Sequence, residues 1–177
     1  VMALISLLAL IGAAVGCARG GKVGMMEKIP ENASYFQFSD VKALRGDDDL
    51  EDIYDAWIDD YEDTLEDYGI DCDDVNRIAS GGGVMLYEGD FDLDGVRNEL
   101  EDRDYDDDEY KGVEVWKDYE WVALMGNLII IGSEEAVKDC IKVIKEGEDS
   151  LADNRDASDV MHRLPTGIWL WYSTYEM

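Results

Sequence analysis

Apolar residues in this chain recur at two distinct periods, and the alternation between them outlines the fold. In "DDLEDIYDAWIDDYEDTLEDYG" the apolar positions are Leu50, Ile53, Tyr54, Trp57, Ile58, Tyr61, Leu65 and Tyr68. Spacings of three and four place them on one face of a helix, acids fill the other face, and Gly69 is placed to stop it. A second stripe is Val137, Cys140, Ile141 and Ile144. Ser133 is suited to cap that helix, Glu134 and Glu135 fall in its first turn, Lys138, Lys142 and Lys145 fall towards its end, and Gly147 ends it. Leu93, Val96 and Leu100 predict a short helix, and another is expected over 157–163.

Strands are expected at "ASYFQFSD" (33–40), after the Gly-rich turn in "GGGVMLYEGDF", two or three times within "YKGVEVWKDYEWVALMGNLIIIGS", and at "GIWLWYST". Lys117-Asp118 and Gly126-Asn127 are the expected turns. The resulting order is strand, helix, strand, helix, several strands, helix, strand. It predicts an α+β domain, an antiparallel or mixed sheet with amphipathic helices packed on one face.

Composition then narrows the setting. A chain of 177 residues with 46% hydrophobic content is long and apolar enough for one domain with a real core. Its net charge is −28. Between Gly46 and Asn76 there are fifteen Asp or Glu and no Lys or Arg. Such a surface repels nucleic-acid phosphates and anionic headgroups and attracts cations, basic proteins or cationic polymers. It also keeps a protein soluble, and suits salty water in which self-repulsion is screened.

The first sixteen residues, "VMALISLLALIGAAVG", carry no charge. They are shorter than the roughly 20 residues of a bilayer span and suit the apolar region of a signal peptide. The opening on Val1 without a positive n-region reads as upstream residues having been clipped. Ala14-Val15-Gly16-Cys17 follows and resembles the lipobox of bacterial lipoproteins, although Ala14 stands where Leu is commoner. That resemblance implies lipidation of Cys17 and an extracytoplasmic location anchored to the bacterial membrane, at the periplasm or cell surface. The small, Gly-rich "ARGGKVG" that follows reads as part of a flexible tether over 17–27, with a domain expected over 28–163. An uncleaved anchor with a chance cysteine is the alternative. In an oxidising compartment Cys72 and Cys140 are a candidate disulfide, while the helical stripe suits Cys140 equally well as a buried thiol.

The chain's two prolines sit in "IPENASYFQF" and "LPTGIWLWYS". Each precedes an aromatic strand, so one module is expected to start near Ile29 and a second, truncated repeat near Leu164, with 164–177 supplying its first strand. Pro, first strand, acidic helix, "GIDCDDV", "EGDFD", "YKGVEVW" and "IGSEEAVKDCI" together resemble uncharacterised bacterial secreted or membrane-anchored proteins that repeat such a module. The resemblance covers roughly 28–175 and implies no enzymatic residue.

One motif carries metal chemistry. Asp90-x-Asp92-x-Asp94-Gly95, then five residues, then Glu101, has the spacing of an EF-hand calcium loop. Its candidate ligands are Asp90, Asp92, Asp94, the Val96 carbonyl, Asn98 and Glu101. Against it, a strand rather than a helix enters the loop, and Arg97 stands where an aliphatic residue is usual. The same residues also read as an ordinary helix start, with Asp92 as N-cap, Phe91 and Val96 as a hydrophobic staple, and Asp94 favouring the helix dipole.

His162 stands alone, no Cys/His cluster exists, and no nucleophile elbow, phosphate loop or zinc-protease motif is present. No cofactor is expected apart from the calcium candidate, and no catalytic residue is assigned. Three function classes remain. They are a lipid-anchored, non-catalytic binding or structural module at the envelope, a calcium-responsive adhesion protein, and a fragment of a secreted hydrolase whose catalytic part lies outside this sequence.

Overall fold

Leu128-Ile129-Ile130-Ile131 forms the most deeply buried strand, none of the four being more than 5% exposed. A run of that kind, without polar alternation, belongs to a strand covered on both faces. The computed structural model describes residues 23–163 and 169–173, and only the backbone from 162 onwards. Its strands are β1 (Tyr35–Ser39), β2 (Val75–Gly81), β3 (Val84–Gly89), β4 (Asp106–Tyr110), β5 (Val113–Lys117), β6 (Trp121–Met125), β7 (Leu128–Gly132) and β8 (Trp169–Ser173). They form one sheet in the order β4-β5-β6-β7-β3-β2-β1-β8. Every neighbouring pair is antiparallel.

The helices are α1 (described over 23–26), α2 (Val41–Arg45), α3 (Glu51–Glu66), α4 (Leu93–Asp102), α5 (Glu134–Glu146) and α6 (Arg155–Arg163). The α+β class and the antiparallel sheet stand as expected. The helices do not lie on one face, however; they cover both. On one side Phe36, Phe38, Leu86 and Ile130 pack with α1, α5 and α6. On the other Ile78, Tyr87, Ile129 and Ile131 pack with α2, α3 and α4. Ile129 and Ile130 are adjacent and both fully buried, because successive strand residues point to opposite faces.

Hairpin chemistry sets the strand order. Gly82 and Gly83 have φ of +61° and +85°, and Lys111 and Gly112 of +52° and +73°. Positive φ at both central residues is what a two-residue type I′ hairpin requires. These turns join β2 to β3 and β4 to β5. At its other end the sheet finishes on β8, with Tyr35 opposite Ser173 and Ser39 opposite Trp169. Residues 164–168, where a second module is expected to open, and 174–177 lie outside the described residues, as do residues 1–22, where a leader is expected.

Two further expectations need correction. The domain starts earlier than residue 28, since Met25 and Met26 of the expected tether are 0% and 1% exposed within the core. The apolar stripe on α3 is also shallower than its periodicity predicts. Trp57 and Leu65 are buried and Tyr54, Ile58 and Tyr61 half-buried, while Ile53 is 43% exposed. Tyr54, Trp57 and Tyr61 stack in succession along the helix, with ring centroids 5.9 and 5.3 Å apart. The 3₁₀ turn at Asp48–Leu50 precedes α3, and Ile70 closes it by donating its N–H to the Leu65 carbonyl at 2.9 Å.

Candidate binding site

The acidic loop at 89–101 folds as a strand-to-helix corner. Asp92 is the N-cap of α4, its carboxylate accepting from the Asp94 N–H at 3.2 Å. The Val96 N–H donates to the Asp92 carbonyl at 3.0 Å, starting the helix. Phe91 packs beside the same core to which Val96 belongs. A Cβ at Gly95 would meet Asp92 Oδ2 at 3.3 Å, so a side chain there would press on the cap carboxylate by a few tenths of an ångström.

The other candidate ligands are drawn to separate partners. Asn76 Nδ2 donates to Asp90 Oδ2 at 3.0 Å. Arg97 donates to Asp94 Oδ1 at 2.7 Å and grips Glu114 with two bonds of 2.8 and 2.9 Å. Trp116 Nε1 adds a third donor to Glu114 at 2.9 Å. The Arg97 guanidinium therefore holds the Glu114 carboxyl below its ordinary range. Asn98 and Glu101 lie on α4. Among the described residues no group of three or more His, Cys, Asp or Glu is arranged to hold a metal ion.

Cys72 and Cys140 do not form the candidate disulfide. Cys72 belongs to the core on the α3–α4 side of the sheet, Cys140 to the core beneath α5, and both are free and buried. Burial raises the Cys72 thiol to about 11, with Glu62 and neighbouring acids contributing, and the Cys140 thiol to about 12. Cys140 Sγ donates to the Lys28 carbonyl at 2.8 Å. Cys17 lies outside the described residues. His162 lies on α6.

Two cavities flank the C-terminal half of α3. The larger, of about 550 Å³, opens between the end of α3 and α4. Its wall carries Glu62, Glu66, Asp67, Asp71 and Glu99, with one cation, Arg103. That guanidinium is already engaged, donating to Glu99 at 2.8 Å and to Asp67 at 2.6 Å. Gly69 makes the close approach feasible. Its φ is +68°, and a Cβ there would come within 2.9 Å of Glu99 Cβ.

The smaller cavity, of about 260 Å³, lies between α3 and the sheet. Tyr35, Tyr68, Met85 and Tyr87 supply its apolar wall and Glu120 its carboxylate. Tyr68 donates its hydroxyl to Glu120 Oε2 at 2.6 Å. Burial, with Glu120 adding to it for Tyr68, pushes both the Tyr68 and Tyr87 phenols well above their ordinary value, so they stay neutral. These residues come from β1, the end of α3, β3 and the β5–β6 turn. No local spacing in the chain links them.

No family model matches the chain. It is similar to Uncharacterized protein MJ0635 of Methanocaldococcus jannaschii, 33% identical over 115 residues, which cover 55% of this chain and 41% of that protein. The chain thus spans under half the length of this curated relative. Among solved structures the chain is similar to two crystal forms of TP0453, over 67% of its own length and about half of theirs, with TM-scores of 0.47 and 0.42 at 9% identity. Likeness at that level says nothing about function. The relation to an archaeal protein of uncharacterised role is what these comparisons support.

Proposed function

We propose that this protein is a lipid-anchored, extracytoplasmic module of a prokaryotic envelope that binds a basic partner without catalysis. The observation that carries the reading is the acidic cleft at the end of α3. Five carboxylates face one guanidinium there, and that guanidinium is already bound to two of them. A cationic side chain entering the cleft gains charge-assisted hydrogen bonds in a field that the net charge of −28 reinforces over the whole surface. The location rests on the uncharged 1–16 segment and the Ala14-Val15-Gly16-Cys17 motif.

A binding role also suits the thiols. A nucleophilic cysteine needs a lowered pKa and access, whereas Cys72 and Cys140 are buried and raised. Calcium is the weaker ligand for this chain, since Asp90, Asp92 and Asp94 are each committed to a neighbouring group.

The test has two arms. An alkyne-tagged fatty acid fed to expressing cells labels the wild type and not Cys17→Ser; equal labelling removes the anchor. A lysine-rich peptide binds the purified protein in a salt-sensitive manner, and Glu62→Gln with Glu66→Gln and Asp71→Asn weakens it at least tenfold. If the triple variant binds that peptide as the wild type does, the cleft is not the site.

A further inference from the structure

The smaller cavity points to a second ligand, distinct in chemistry from the partner of the acidic cleft. We propose that the tyrosine-walled space between α3 and the sheet binds a small organic ammonium ion, seated against the rings of Tyr35, Tyr68 and Tyr87 with Glu120 as its counter-charge. Three observations converge. Glu120 is the one charged residue on the cavity wall, and no basic side chain lines it. Among the described residues Glu120 enters no ion pair, although eleven other pairs form. Its neighbour is a hydroxyl: Tyr68 donates at 2.6 Å, which fixes the carboxylate without neutralising it.

The wall discriminates among cations. A hard divalent ion needs six or more oxygen ligands, or carboxylates in number, and this cavity offers one carboxylate and neutral phenols. An alkylammonium ion asks for something different. Where its nitrogen is methylated it is weakly hydrated, sheds water cheaply, and is attracted by the negative faces of aromatic rings. Met85 adds a polarizable surface beside them. The volume of about 260 Å³ suits a compact ion and leaves no room for a folded peptide segment. Anions are repelled by Glu120 and by the acids of α3 above the cavity.

The test is calorimetric titration of the purified protein with tetramethylammonium chloride, with total ionic strength held constant by sodium chloride. A saturable, single-site heat is expected. Glu120→Gln, which keeps an oxygen for the Tyr68 hydroxyl, weakens binding at least tenfold. Glu62→Gln, which removes the same charge from the acidic cleft, leaves it unchanged. Neopentyl alcohol, nearly the same shape without the charge, binds at least tenfold more weakly to the wild type, a comparison that needs no variant. The proposal is overturned by a heat that does not saturate, by equal losses in Glu120→Gln and Glu62→Gln, or by equal affinity for the neutral alcohol. The Glu120→Gln and Glu62→Gln arms assign the heat to one cavity or the other, so failure here leaves the cleft reading standing, and failure of lysine-peptide binding leaves this one standing.

Discussion

Cys72 and Cys140 are held apart by the sheet itself, one on each face. Intact mass is therefore expected to be the same with and without reductant, neither sample lacking the two hydrogens that a disulfide removes. Thiol alkylation at pH 8 is slow in the folded protein and fast in denaturant, since both thiols are buried and protonated. The pH dependence has a definite sign. The folded-state values, about 11 and about 12, exceed the ordinary thiol value of 9.0, so the folded state holds these protons longer. Their contribution to stability is complete below pH 9 and is lost as pH rises through 11 to 12. Denaturant midpoints measured from pH 8 to 11 should fall, and Cys140→Ala should flatten part of that fall.

Arg97 and Glu114 make the reverse case. The pair is about one-third exposed, so solvent screens it and a double-mutant cycle is expected to return no more than about 1 kcal/mol. Because Arg97 depresses the Glu114 carboxyl, the stabilisation is present above pH 4.5 and is lost as pH falls below it. Glu114→Gln should therefore lower the melting temperature at pH 7 and have less effect at pH 3.

Asp92→Ala separates a helix cap from a metal ligand. Loss of the cap costs about 1 kcal/mol, within a range of roughly 0.5–2. The same loss is expected with and without millimolar calcium, because Asp92 caps α4 while Asp90 and Asp94 are committed to Asn76 and Arg97. A calcium-dependent rise in melting temperature that disappears in Asp92→Ala would restore the metal reading.

What the sequence made legible follows from how much of the signal is local. The α5 helix is readable because its stripe, its C-terminal Gly147 in the left-handed region and its first-turn acids coincide; the Ser133 cap departs, occupying its position without a side-chain bond, and Val143 rather than Ile144 completes the buried set. Strand β4 was missed because "DDDEY" is poor in strand-forming residues. It exists as an exposed edge paired to β5, where acids keep other strands from adding. Strand β2, "VNRIASG", and the five-residue α2 were missed because neither carries a full period of apolar residues. The two-sided covering of the sheet is carried by "LIII", a run without polar alternation, whereas the one-face expectation rested on element order alone. The tyrosine cavity was not readable at all. Its residues are separated by tens of positions and meet only through tertiary packing.

That two-sided core has a direct test in adjacent residues. Ile129→Ala opens the core under α3 and α4, and Ile130→Ala the core under α1, α5 and α6. Both side chains are fully buried, so each truncation should cost about 2–5 kcal/mol in denaturant unfolding. The sites lie on opposite faces and share few neighbours, so the double variant should lose nearly the sum. If one of the two were tolerated, one face of the sheet would have to be open to water.

The acid run of α3 sets the response to salt. No Lys or Arg lies on the helix, and Asp55, Asp59 and Asp63 succeed one another at four-residue spacing. Like charges at that spacing destabilise a helix by about 0.2–0.5 kcal/mol per pair. Screening shortens from about 10 Å at 0.1 M to about 3 Å at 1 M. The melting temperature should therefore rise steadily as sodium chloride goes from low to molar concentration. Replacing Asp59, exposed in the middle of the run, separates this repulsion from general salt effects. Asp59→Lys removes two repulsions and creates two attractions, so it should stabilise the protein at low salt, with the gain shrinking towards zero at high salt. A gain of the same size at both extremes would show that repulsion along α3 is not what salt relieves.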